Sequence, residues 1–177
     1  MPRGYDPAAA AACPAPPGAV PGELARAVAA CRRNAAFLAE IGQILAEASA
    51  DTDQADDCRA CGQCCRFAEF GHRLYVSTGE LALLTLSPPP AAVQPGRCPY
   101  QTGPACTARD RRALGCRLFV CQSGSAERSA AAYERFHARI RHCHADHALP
   151  YLYVELAAGL AELAGGFFCI DTAAGRA

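Results

Sequence analysis

The sequence contains no lysine and no tryptophan, and all 17 of its basic residues are arginine. The missing lysine excludes a Schiff-base lysine, a catalytic lysine and a phosphate-binding P-loop, whose motif requires that residue. Methionine occurs once and aromatic residues make up 7% of the chain, so a core must be assembled from scattered Leu, Phe, Tyr, Val and Ile among many alanines, which bury little surface. Neither sign of charge is in excess: 17 acidic residues balance the arginines to a formal net charge of zero. That excludes the basic excess of a general nucleic-acid binder. No apolar run approaches the roughly 18 residues that cross a bilayer. The residues before Cys13 are Ala, Pro, Asp and Gly rather than Leu, Val, Ile or Phe, so they do not read as a lipoprotein-type signal. Residues 1–21 read as a disordered Ala/Pro-rich leader, and the expected compartment is the cytoplasm.

What the chain has in abundance is cysteine, 12 in 177 residues. Thiols at this density serve either as disulfides in an oxidising compartment or as metal ligands in a reducing one, and with no export signal the metal reading is preferred.

Apolar residues at steps of three and four (Leu24, Val28, Cys31, Ala35, Leu38, Ile41, Leu45) predict one long helix from Gly22 to about Ser49. The acidic stretch Asp51 to Asp57 ends it; lacking the glycine and terminal glutamate of a calcium loop, this stretch reads as a solvated linker. His72 to Val76 alternates like a short strand. Ser77-Thr78-Gly79-Glu80 has the spacing of a capping box opening a helix with Leu81, Leu83, Leu84 and Leu86, which Pro88-Pro89-Pro90 closes. After a cysteine-bearing loop, Ser123-Gly124-Ser125 is placed to cap a helix with Tyr133, Phe136, Ile140 and Cys143 on one face, broken by Pro150. A last helix is expected from Tyr151 to Leu163, stopped by Gly165-Gly166.

The chemistry concentrates in Cys58-x-x-Cys61-x-x-Cys64-Cys65. A C-x-x-C turn lets two thiolates converge on one cation, and Gly62 supplies the positive φ such turns use. Three thiols at steps of three are similar to the opening of ferredoxin-type motifs, whose fourth ligand lies elsewhere in the chain; this leans toward iron–sulfur over zinc. Adjacent side chains diverge, so Cys65 is expected to serve a second site, a core position or a redox role rather than the metal held by Cys64. The second loop adds Cys98, Cys106, Cys116 and Cys121, with Arg59, Arg66, Arg97, Arg111, Arg112 and Arg117 nearby to offset thiolate charge.

Cys58-Arg59-Ala60-Cys61-Gly62-Gln63-Cys64-Cys65-Arg66, followed in order by Cys98-Pro99-Tyr100, Cys106, Arg111-Arg112-Ala113-Leu114-Gly115-Cys116-Arg117 and Cys121, resembles the YkgJ-type cysteine-cluster proteins. The likeness covers residues 58–121, with Ala113 where the family usually carries proline. It implies chelation of zinc or iron through a CxxCxxCC domain. A larger branch of that family resembles flagellin lysine methylases; this chain has no G-x-G-x-x-G stretch, and methyl transfer is not carried over.

Other candidates have plainer readings. His142, His144 and His147 with Cys143 would make a metal patch, but histidines near a helix C-terminus also suit the helix dipole without metal, and that reading is preferred. Cys31, Cys143 and Cys169 read as small buried hydrophobes and Cys13 as a spectator.

The whole predicts a mainly α, small single domain over residues 22–166. Helices flank two cysteine-rich metal-binding loops at 58–121, with little or no sheet, and residues 167–177 form a tail. The expected ligands are Cys58, Cys61, Cys64, Cys65, Cys98, Cys106, Cys116 and Cys121, holding an iron–sulfur cluster (4Fe–4S) or Zn²⁺. The alternatives are a metal-dependent redox or protein-modifying enzyme, and a metal-rigidified module docking a protein partner through its N-terminal helix. No nucleic-acid or membrane partner is expected.

Overall fold

The computed structural model describes residues 22–51, 61–90, 96–118 and 126–167. The expected leader, Cys13, Cys58, Arg59, the Ser123–Ser125 cap, Cys121 and Cys169 lie outside them. As the periodicity predicts, the architecture is mainly α, with seven α-helices and two small two-stranded sheets among the described residues.

The first departure from the sequence expectation is a break in the long N-terminal helix. It is two helices, α1 (Glu23–Arg33) and α2 (Ala35–Ala50). Asn34 between them is extended at φ −103° and ψ 95°, and its side-chain oxygen accepts from the Phe37 backbone N–H at 3.0 Å, so a residue suited to capping starts a new helix. The break also shifts the buried face. Leu24, Val28 and Cys31 are buried on α1, but α2 buries Phe37, Ile41, Ile44, Leu45 and Ala48, leaving Ala35 exposed.

A single-turn helix, α3 (Phe67–Phe70), precedes β1 (Tyr75–Ser77) and α4 (Thr78–Leu84). The capping box is present as read: the Ser77 hydroxyl accepts from the Glu80 N–H, and the Glu80 carboxylate accepts from the Ser77 N–H at 2.8 Å. The second cysteine segment is more ordered than a loop. It folds into a hairpin of β2 (Gln101–Thr102) and β3 (Ala105–Cys106), a 3₁₀ turn over Arg109–Arg111, and α5 (Leu114–Leu118).

Helix α6 (Ala126–Asp146) carries Phe136, Ile140 and Cys143 into the core, with Tyr133 partly buried. It ends before Pro150, where Leu149 N–H bonds to the His144 carbonyl and Ala148 N–H to that of Ala145, with Ala148 left-handed at φ 51°. That is a Schellman closure in which alanine occupies the position glycine prefers. Ala148→Gly is expected to raise stability by roughly 0.5 kcal/mol in urea unfolding, because relief of the left-handed strain exceeds the added freedom of the unfolded chain.

The last segment corrects a second expectation. Tyr153–Glu155 forms strand β4, antiparallel to β1 with Val76 opposite Val154, and only then does α7 (Leu156–Phe167) begin. Aromatic and β-branched residues here find a partner strand, and the Tyr75 and Tyr153 rings stack at 5.6 Å. Helix α7 runs through Gly165-Gly166, the expected stop.

The core lies where α1 packs on α4 and α7, and where α2 packs on α4, α5 and α6. Phe37, Ile41, Leu45, Leu81, Leu114, Leu118, Ile140 and Leu156 are its largest fully buried apolar side chains. The apolar faces of α1 and α2 are thus spent inside the fold, and their exposed faces carry charged residues such as Arg26, Arg33 and Glu40. No described helix is long and apolar enough to cross a membrane.

Candidate metal centre

Two cysteine segments, distant in sequence, are joined through the backbone. Gly62, left-handed at φ 72°, starts the tight turn Gln63–Cys65, and the Cys65 carbonyl then accepts from the Cys98 N–H at 2.8 Å. The buried Gln101 amide adds a second tie, donating to the Gly62 carbonyl at 3.0 Å while accepting from Arg97 Nε at 3.2 Å. Gly62 is required twice over, since a Cβ there would also lie 2.4 Å from Gln101 Nε2 and 3.1 Å from the Pro104 carbonyl. Gly62→Ala is expected to cost roughly 1–2 kcal/mol, read as a lowered melting temperature.

These ties bring thiols together. Cys64 lies in interaction range of Cys65, and Cys65 of Cys98, although no three of the described cysteine sulfurs lie within 4.8 Å of one another. Cys106, paired with Gln101 in the hairpin, interacts electrostatically with Cys65, and Cys116 on α5 interacts with Cys64, Cys65 and Cys106. Cys65 is buried in the core while Cys64 is only partly buried, as expected for adjacent side chains that diverge and for Cys65 in a core position. Cys61 is exposed. The eight described cysteines are all free thiols, without a disulfide among them.

Their protons are held tightly. The neighbouring Cys65 thiol and then burial push the Cys64 thiol far up, with the Arg112 guanidinium opposing. The Cys64 thiol pulls Cys65 down, but the Cys98 thiol, burial and the charges of Cys98 and Cys106 outweigh that and bring it to about 12. Burial, and then Cys64, Cys65 and Cys106, push Cys116 far up. Each thiolate would disfavour the next, and a cation among them reverses that balance.

Of the arginines named in sequence, Arg112 faces Cys64 and Cys116. Arg117 also interacts with Cys116, and it anchors α5 by donating to the Arg112 and Asp110 carbonyls and to Ser49 Oγ. Arg66 pairs with Glu69, and Arg111 bonds Ser87 Oγ. His72 Nε2 lies 3.1 Å from the Cys64 carbonyl, which fixes its proton on that nitrogen.

A second group was only half visible in sequence. Among the described residues, the one set of three donor atoms lying within 4.8 Å of one another is Glu40, Cys143 and His147. Cys143 lies in the last turn of α6 and His147, four residues on, just past its end with its N–H on the Cys143 carbonyl, while Glu40 comes from α2. Their neighbour His144 points elsewhere: it is buried, accepts from the Gly79 N–H through Nε2, and belongs to the core. Cys143 is buried as expected, yet it is not merely apolar: burial and then the nearby Glu40 carboxylate push its thiol up to about 12. No signal in the sequence could have supplied Glu40, one of several acidic residues on an amphipathic helix.

A mainly α, cysteine-rich domain with a group of donors at metal-ligand spacing is what fold and site define together. Compared with family models, with curated proteins and with solved structures, the chain matches none.

Proposed function

We propose that this chain is a metal-binding cysteine-cluster protein of the YkgJ type, holding an iron–sulfur cluster or a zinc ion with thiolates from both cysteine segments. Cys58, Cys61 and Cys64 are the ligands from the first segment. The second segment, with Cys98, Cys106, Cys116 and Cys121, completes the shell, and Cys65 is a further candidate. A cluster would supply electron transfer and zinc a structural clamp, and the reducing cytoplasm suits either.

The observation that supports this reading is the joining of the two cysteine segments, through the Cys98 N–H bond to the Cys65 carbonyl at 2.8 Å and the Gln101 bond to the Gly62 carbonyl at 3.0 Å, with Cys106 and Cys116 in electrostatic range of Cys65 and Cys64. Thiols that suppress one another's ionisation gain most from a cation, and Arg112 is placed to offset the remaining negative charge.

The test is anaerobic purification with metal and sulfide analysis. Iron with sulfide and broad absorbance near ~400 nm identify a cluster; stoichiometric zinc in a colourless protein identifies a structural ion. Cys64→Ser and Cys106→Ser are each expected to lose that metal, whereas Cys31→Ala, a substitution on α1, retains it. A chain that purifies without metal and takes up neither iron nor zinc overturns the proposal.

A further inference from the structure

Helices α2 and α6 run antiparallel along a seam of charged pairs. Glu47 meets Arg139 at 2.6 Å, and Asp51 meets Arg135. At the next position along this seam Glu40 is met instead by a thiol and an imidazole. His147 Nε2 lies 3.0 Å from Glu40 Oε2, and the Cys143 sulfur lies within 4.8 Å of both. Sulfur, nitrogen and oxygen donors thus converge within 4.8 Å. Cys143 forms the buried floor at 1% exposure, while the Glu40 side chain is 48% exposed, leaving one side open to solvent.

We propose that Glu40, Cys143 and His147 form a second metal site, for a divalent transition metal of the zinc type, independent of the cysteine segments. Three protein donors of these kinds with a position open to water are the set such an ion takes when it is not fully enclosed. The (i, i+4) pair is held by the Schellman closure just beyond it, and Glu40 is held by the packing of α2 on α6.

Asn34 sets the state of the site before metal arrives. Its Oδ1 caps Phe37, so Nδ2 is the atom facing His147 Nδ1 at 3.3 Å. Nδ2 can only donate; Nδ1 therefore accepts, and the imidazole proton sits on Nε2, donated to Glu40. On metal binding the Cys143 proton leaves to solvent and the His147 proton moves from Nε2 to Nδ1, freeing Nε2 for the ion. An Nδ1–H then faces the Asn34 amine. Aspartate at position 34 would keep one oxygen on the Phe37 N–H and offer the other to Nδ1–H, the carboxylate–histidine arrangement that supports metal-bound imidazoles.

Cobalt(II) titration of the full chain, retaining whatever metal it purifies with, tests this through thiolate-to-cobalt charge transfer and visible bands. Wild type is expected to bind one equivalent that Cys143→Ser abolishes and that Glu40→Gln, at an exposed position that leaves the fold intact, weakens at least tenfold. Asn34→Asp is expected to tighten it about tenfold, the scale of such supporting contacts. Glu47→Gln, which disturbs the neighbouring pair with Arg139 on the same seam and no donor of the site, should leave this equivalent unchanged. Loss of the equivalent in Glu47→Gln, or wild-type titrations in both Cys143→Ser and Glu40→Gln, overturns the site. An unchanged Asn34→Asp overturns the role given to Asn34.

Discussion

Glu80→Ala is expected to remove about 3–5 kcal/mol of folding free energy, a large share of the ~5–15 kcal/mol that holds a typical domain together. Glu80 is 1% exposed, and both its oxygens are engaged. Oε2 accepts from the Ser77 N–H and hydroxyl, each at 2.8 Å, and Oε1 accepts from the Leu114 N–H at 2.8 Å. Truncation orphans two buried backbone donors, at roughly 1–3 kcal/mol each, and removes one half of a capping box. Glu80→Gln is expected to recover only part, about 2 kcal/mol of loss remaining, because its amide offers one acceptor and turns an NH₂ toward a donor. The consequence reaches the thiols, since Leu114 opens the helix that carries Cys116. Equilibrium urea unfolding measures the first effect. The second is read as faster labelling of Cys116 than of Cys31 in the variant relative to wild type. Equal labelling ratios in the two proteins would mean that the carboxylate does not position α5.

Glu80 shows what the sequence could disclose. The Ser-x-x-Glu pattern is local, and local hydrogen bonds within a turn are legible from spacing alone, so the box was found where it was read. The reach of the other oxygen to Leu114, 34 positions on, is a tertiary event with no local trace. The same distinction explains the misreadings. Periodicity carried the helical reading across Asn34 because alanine-rich flanks keep an apolar phase on either side of a break; only the capping bond to Phe37 separates the helices. Tyr153–Glu155 was read as helix because the residues around it have helical spacing. Strand geometry wins there because β1 lies alongside, with Leu156 N–H bonded to the Leu74 carbonyl at 2.8 Å closing the pair.

For the candidate metal centre, cysteine spacing placed the chemistry in two segments but could not supply their contact. That contact rests on the Cys98 N–H bond to the Cys65 carbonyl and on Gln101 reaching Gly62, both between segments. The histidine patch was read from one helix, and one helix could offer only Cys143 and His147. The carboxylate that turns them into a three-donor group belongs to α2, and the adjacent His144 turns to the opposite side of the packing.

His144 supplies the second large effect, a loss of stability on acidification. Its ring is 1% exposed, edge-on to Phe37 at 4.8 Å, and Nε2 accepts the Gly79 N–H at the start of α4. Burial holds its pKa below the ordinary value, with the nearby Leu149 and Pro150 backbone opposing less strongly. A helix N-terminus disfavours positive charge, and protonating Nε2 would abolish the bond to Gly79. The folded chain therefore binds this proton less readily than the unfolded chain. The contribution is present in full above the unfolded histidine pKa of ~6.5 and is lost as pH falls below it, with a limiting slope of about 1.4 kcal/mol per pH unit. His144→Ala is expected to cost about 3 kcal/mol at neutral pH, from the cavity and the orphaned Gly79 N–H. Little can refill that space: a Cβ on Gly79 would itself lie 2.8 Å from Phe37 Cζ and 2.9 Å from His144 Nε2, so the three residues fit as one unit. His144→Gln places a non-titrating acceptor there. Urea unfolding from pH 7.5 down to 5 is expected to show a shallower decline for His144→Gln than for wild type, and parallel profiles would assign the acid sensitivity to other groups.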